Sequence, residues 1–312
     1  MPLRKKISSA ALFLLLFLFA AVFLSSPARY GQSVLNGLML WAGAILPTAL
    51  PLLVVLSLMV RSPAFSALSG RLSPAAEKLF RVPGVGAGAM LLSVLSGYPA
   101  GARTVAELSS GGHLKQGDIF YTACLCSTSG PAFCLGAAAG MFGSPAAGLL
   151  LFCSHLVAVG LISLLLPRLT GHKKSASAAP LPVRNGETFS ELLLGAVRSV
   201  LSVGALIALF FCLKEMLFSL LPPLSEVGEG ILSGLLEVTA GVSALAKLKT
   251  PLSLALAAAE VSFGGLCVNA QQLSFLSGTG VKALPFLLVK CAHGLLAFAL
   301  CYPLARLVFP GQ

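Results

Sequence analysis

Apolar residues run along this chain in stretches close to twenty long, set apart by short polar segments, and several stretches are interrupted near their centres. Unbroken runs occupy 7–25, 35–60, 146–167, 196–220 and 284–303. A helix of about twenty apolar residues is long enough to cross the hydrocarbon core of a bilayer. Runs 118–142 and 251–276 are also long enough, but each holds a break: Cys126-Ser127-Thr128-Ser129-Gly130-Pro131 in one, Ser262-Phe263-Gly264-Gly265 in the other. Segments 85–111 and 229–248 differ again. Each splits into halves of about ten residues, too short to cross alone. The pattern predicts re-entrant hairpins, which enter and leave on one side. Such backbone is tolerated at membrane depth only where it is buried in protein or lines a cavity.

These interruptions occur twice in the same order. Residues 91–108 (LLSVLSGYPAGARTVAEL) align without a gap to 231–248 (ILSGLLEVTAGVSALAKL), matching at Leu92/Leu232, Ser93/Ser233, Leu95/Leu235, Ala100/Ala240, Gly101/Gly241, Ala106/Ala246 and Leu108/Leu248. In each half the second break follows, and then a closing apolar run with Cys153-x-His155 in one half and Cys291-x-His293 in the other. Paired interrupted segments in two halves are the sequence pointer to a transporter's binding site. The expected fold is an all-α integral membrane protein built as an inverted repeat. Each half holds a re-entrant hairpin and a broken transmembrane helix, and an extra helix precedes them. The boundaries are 1–33 for the N-terminal helix, 34–167 for the first repeat, 168–190 for a cytoplasmic linker and 191–312 for the second repeat. Residues 61–84 and 221–228 read as polar connections.

Composition agrees with membrane burial: 57% hydrophobic, 10% charged, mean hydropathy +0.94. A soluble domain carries about a quarter charged residues. The net charge of +11 does not point to nucleic acid, because the basic residues are scattered over loops rather than gathered on one face. Their sidedness is informative. With a cytoplasmic N-terminus and two re-entrant hairpins, the inside holds Arg4, Lys5, Lys6, Arg61, Arg71, Lys78, Arg81, Lys115, Arg168, Lys173, Lys174, Arg184 and Lys282. The outside holds Arg29, Lys247, Lys249 and Arg306. That topology gives each half three crossings, an odd number, so the halves face opposite ways. Arg4-Lys5-Lys6 also resembles the basic region of a signal peptide. The apolar run behind it is long for one, and no clean small-x-small site follows, which favours a retained helix.

The candidate chemistry sits at the interruptions. In the first tip, Ser96-Gly97-Tyr98-Pro99-Ala100-Gly101, Pro99 suits the start of a new helix whose free N–H groups attract an anion. Arg103 lies in that first turn, able to clamp a carboxylate or to pair with Glu107 at i+4. In the second tip, Glu237, Thr239 and Gly241 offer a carboxylate, a hydroxyl and flexibility. The breaks add Ser127, Thr128 and Ser129 in one half, and Asn269 and Gln271, with Gln272 beside them, in the other. Tyr98, Pro99, Gly101 and Arg103 complete the substrate-binding candidates, and Glu237, Glu260 and His155 are candidates for proton or ion coupling. The eight cysteines lie in apolar segments and read as packing residues; Cys124-x-Cys126 is too sparse for zinc. No metal or cofactor is expected, and neither a Ser-His-Asp, an HExxH nor a phosphate-loop pattern argues for an enzyme.

Four motifs in order, SGYPAGARTVAEL, STSGP followed by GMFG, LLEVTAG and SFGGLCVNAQ, resemble the YlbJ-type sporulation integral membrane proteins of the nucleoside-recognition Gate group. The resemblance covers about residues 35–303. This group is similar to concentrative nucleoside transporters, each half of which holds a re-entrant hairpin and a broken helix. The resemblance implies a cell-membrane protein of an endospore former that moves dipicolinic acid out of the mother cell across the outer forespore membrane. The family pattern usually carries Lys at the place of Arg103, within a motif that admits either base, so the charge is kept. The implied partners are a small organic anion and the lipid bilayer. A homo-oligomer is compatible with the resemblance, although no interface is legible in the chain. A nucleoside-type transporter and a non-transporting scaffold of a sporulation complex are the alternatives.

Overall fold

A computed structural model of the chain describes residues 3–173 and 188–310, with side chains from residue 13 onward except Ala44 and Thr48. The middle of the expected linker, with Lys174 and Arg184, and the Arg4-Lys5-Lys6 side chains lie outside the described residues.

Every regular element among the described residues is helical. The order is α1 (Leu3–Ser25), α2 (Pro27–Leu40), a π-helical turn (Trp41–Ile45), α3 (Leu46–Val60), α4 (Pro63–Leu79), α5 (Gly84–Ser96), α6 (Ala100–Ser110) and α7 (Gln116–Leu125). A second π-helical turn (Ala132–Ala138) follows, then α8 (Ala139–Phe142), α9 (Pro145–Leu169), α10 (Phe189–Leu220), α11 (Glu226–Leu236), α12 (Val238–Ala246), α13 (Pro251–Phe263), α14 (Gly265–Phe275) and α15 (Ala283–Val308). Four spans are long and apolar enough to cross a membrane: α9, α10, α13 with α14, and α15. Two bent pairs raise the number to six, with a 103° bend between α1 and α2 and a 74° bend between α3 and α4. The protein is a multi-pass integral membrane protein.

Local chemistry sets several helix starts. Ser62-Pro63, Ser144-Pro145 and Thr250-Pro251 open α4, α9 and α13. In each, the hydroxyl accepts a backbone N–H of the first turn, and proline occupies the position whose N–H has no helical partner. The first of these starts corrects an expectation. Residues 63–79 are a helix, not a polar loop, because the cap starts it and Phe65, Ser69 and Ala76 bury one face against α5. Pro74 is tolerated inside it.

The order and lengths of the helices recur in the two halves. Arms α5 and α6 have 13 and 11 residues, and α11 and α12 have 11 and 9. At 1.5 Å per residue none exceeds about 20 Å, short of the roughly 30 Å core. Each hairpin is followed by a broken span and then by one long helix, α9 or α15. The halves interlock: α6 packs on α14, while α12 packs on α8 and the second π-helical turn. Helix α13 lies innermost, with Leu254, Ala255, Ala257, Ala258 and Val261 fully buried. Its small residues let α9, α12 and α15 approach closely. Helix α1 instead exposes Phe13, Leu14, Leu16 and Phe17, which suits a lipid environment.

Candidate functional site

The first hairpin turns at Gly97, in a backbone conformation (φ +74°, ψ −167°) available essentially to glycine alone. The turn lies against the break of the next span: a Cβ on Gly97 would stand 2.5 Å from the Gly130 nitrogen. The two arms meet closely lower down, where Gly101 faces Ser93 and the Cys126 carbonyl with no room for a side chain. Ser93 donates to that carbonyl and shares a 2.7 Å hydrogen bond with Thr128.

Residues 126–130 leave the helix, and their polar groups are taken up across both halves. Ser127 donates to Gln272 Oε1 at 2.6 Å. The Ser129 N–H donates to His155 Nε2 at 2.8 Å. That contact makes Nε2 the acceptor, so Nδ1 carries the hydrogen toward Ser262 Oγ, 2.9 Å away. His155 on α9 therefore joins the break of one half to the break of the other. Tyr98 makes a second cross-link, donating to the Val261 carbonyl at 3.1 Å. Behind Tyr98 lies Lys290 of α15, fully buried, donating to Tyr98 Oη at 3.0 Å and to the freed Ser127 carbonyl at 3.2 Å.

The second tip is organised by Glu237. Its carboxylate caps α12, accepting the N–H groups of Thr239 at 3.1 Å and Ala240 at 2.7 Å. Gly241 and Gly234 face one another across the arms, and Glu260 of α13 inserts its carboxyl beside them. Both Glu260 oxygens are buried without a hydrogen-bond partner. The second broken span turns at Gly264 and Gly265 (φ +89° and +64°), and Asn269 closes the break by donating to the carbonyls of Phe263 and Gly265 at 2.9 and 2.7 Å.

Between these parts lies a cavity of about 270 Å³. Tyr98 and Gly97 of the first tip, Ser129 and Gly130 of the first break, Glu237 and Thr239 of the second tip, and Gln271 of α14 line it, with Phe133, Met141, Val203 and Val261 as apolar wall. Five of the expected binding residues thus converge: Tyr98, Ser129, Glu237, Thr239 and Gln271. Ser127, Thr128 and Asn269 hold the breaks in shape from behind, and Pro99, Gly101 and Gly241 shape the tips. Arg103 is elsewhere. It bonds to Glu107 Oε1 at 3.0 Å, and Glu107 Oε2 lies 3.4 Å from Arg61, so the i+4 ion pair is what the structure displays.

No family model matches the chain, and no solved structure does. Among curated proteins, the chain is similar to "Sporulation integral membrane protein YlbJ" of Bacillus subtilis (strain 168), at 28% identity over 324 aligned positions, 90% of this chain and 79% of the relative. The chain resembles the YlbJ type over nearly its whole length. Its motifs SGYPAG, STSGP, LLEVTAG and SFGG are the segments that form the two tips and two breaks around the cavity.

The chain's pattern placed Ser93, Ser262 and Gln272 in or beside the interruptions without showing their partners, and it did not single out Lys290. Lys290 carried a signal: an ionisable residue inside an apolar run is by default a functional candidate. The partners of Ser93, Gln272 and Ser262 were not legible, since only tertiary packing shows which polar residue faces a break.

Proposed function

We propose that the protein is a membrane transporter or facilitator for a small organic anion, with dipicolinate the ligand implied by the resemblance. In this reading it works in a sporulating cell, in the outer forespore membrane with its N-terminus cytoplasmic, and carries the anion from the mother cell toward the forespore. The observation that carries the reading is the cavity walled by both hairpin tips and both broken helices. Discontinuous segments at a repeat interface are how secondary transporters build binding sites. The volume, about 270 Å³, lies just below the roughly 300–1,000 Å³ of drug-sized sites and suits a single-ring ligand. Apolar walls with a few convergent polar groups fit a single ring bearing polar substituents. The excess of basic residues on one side supports the orientation, and the similarity to a sporulation membrane protein supports the setting.

The test is flux into proteoliposomes loaded with terbium, whose luminescence rises when dipicolinate chelates it. Protein-dependent entry, saturable and unaffected by excess uridine, is the expected result. Entry of uridine with indifference to dipicolinate would move the protein to the nucleoside class. No entry of either, with normal folding, would leave the scaffold reading standing.

A further inference from the structure

Lys290 is a buried amine with no acidic side chain paired to it among the described residues. Its ammonium is fully enclosed, and its two hydrogen-bond partners, Tyr98 Oη and the Ser127 carbonyl, are both neutral. Among the described residues no Asp or Glu forms an ion pair with it. A charge enclosed there is costly unless it is paired and fully hydrogen-bonded, so the amine holds its proton best with an anion nearby. An ammonium has three N–H donors, so a position is left over. The ionisable groups nearest it are not carboxylates: Cys124 lies within electrostatic reach, His293 is one turn along α15, and the ring of His155 stands edge-on to Tyr98 with centroids 6.2 Å apart. Arg103, by contrast, is already matched by Glu107. The repeat shows Lys290 to be a departure as well. Aligning Cys153-x-His155 on Cys291-x-His293 places Phe152 opposite Lys290, so the charge is present in one half only.

The cavity is reached from Lys290 through one residue. Tyr98 lines it, receives the Lys290 hydrogen bond on its hydroxyl, and lies under the ammonium, 4.8 Å from ring centroid to Nζ. We propose that Tyr98 and Lys290 together read a carboxylate of the transported anion. Tyr98 turns its O–H from the Val261 carbonyl to the carboxylate, and Lys290 positions and polarises that hydroxyl while supplying the balancing charge. Glu237, whose carboxylate lines the same cavity but is occupied in capping α12, stands at the second tip and discourages a carboxylate there. The ligand class is therefore a planar anion held by one carboxylate at the Tyr98 end. This rests on the anion-transport reading above and assigns its recognition residues.

The experiment is calorimetric titration of the purified, detergent-solubilised protein with dipicolinate, picolinate and the neutral pyridine-2,6-dimethanol. A charge-assisted hydrogen bond corresponds to about a 10- to 100-fold loss of affinity when removed. Lys290→Met and Tyr98→Phe are expected to weaken both anions by that factor and the neutral diol by less than about twofold. Lys290→Arg is expected to recover most of the anion affinity. If Lys290→Met misfolds, Tyr98→Phe, which keeps the ring, carries the test alone. Equal weakening of anions and diol, or no weakening, overturns the Tyr98–Lys290 assignment while leaving anion transport intact. A wild-type protein that binds none of the anions overturns both.

Discussion

Gly97→Ala probes the junction on which the site depends. Gly97 sits at φ +74° and ψ −167°, a region that costs an L-residue about 1–3 kcal/mol. The added methyl would lie 2.5 Å from the Gly130 nitrogen and 3.0 Å from its Cα, both backbone atoms that cannot swing aside. Overpacking of that kind costs another 1–3 kcal/mol or so. The total, about 2–6 kcal/mol, is a large part of what usually holds a domain folded. Relief requires the tip to move away from the break, which would also pull Tyr98 from Val261 and Lys290. The measurement is equilibrium unfolding in mixed lipid–detergent micelles, with Gly160→Ala as control. Gly160 is interior to α9 with open space around its Cβ position, so alanine there should stabilise by up to about 1 kcal/mol. If Gly97→Ala unfolds within about 0.5 kcal/mol of wild type, the tip does not rest on the break as described, and the cavity built from that contact loses its basis.

Four further substitutions separate structural from ligand-facing roles. His155→Leu leaves the Ser129 N–H and the Ser262 hydroxyl unpaired in the interior, and should cost about 2–4 kcal/mol in the same unfolding assay; a smaller cost would mean that the breaks are satisfied otherwise. Gly241→Ala drives a methyl into Gly234 and the Glu260 carboxyl, and should destabilise by about 1–3 kcal/mol where Gly31→Ala, in open space, does not. Arg103→Gln removes a largely buried pair but leaves Glu107 beside Arg61, and should cost about 1–3 kcal/mol in unfolding, while dipicolinate flux per folded molecule should be unchanged. A tenfold loss of flux at normal abundance would return Arg103 to the binding site. Ser127→Ala should cost about 1–3 kcal/mol by stranding Gln272 Oε1, read as a lower unfolding midpoint.

Much of the architecture was legible in the chain. Apolar runs and their interruptions located the two hairpins and both broken spans to within a few residues, because a bilayer demands helices of fixed length and penalises every unpaired backbone group. Glycine and proline at the tips and breaks marked the exceptions. The helix at 63–79 was missed because its composition is polar, although Ser62-Pro63 announced it. What the sequence left undetermined was which charge faces which cavity. Arg103 and Lys290 are both single cations in apolar surroundings, and spacing along the chain distinguishes only the one with an acid four residues away. Packing distinguished them fully. Arg103 turns along its own helix to Glu107, while Lys290, far from the first tip in sequence, crosses to Tyr98 and to a carbonyl that exists as a free acceptor only because α7 ends at Leu125. Helix length and breakage are local consequences of residue type and solvent. The pairing of buried polar groups is a property of the assembled halves, since each needs a partner that the interlocked repeat alone brings within reach.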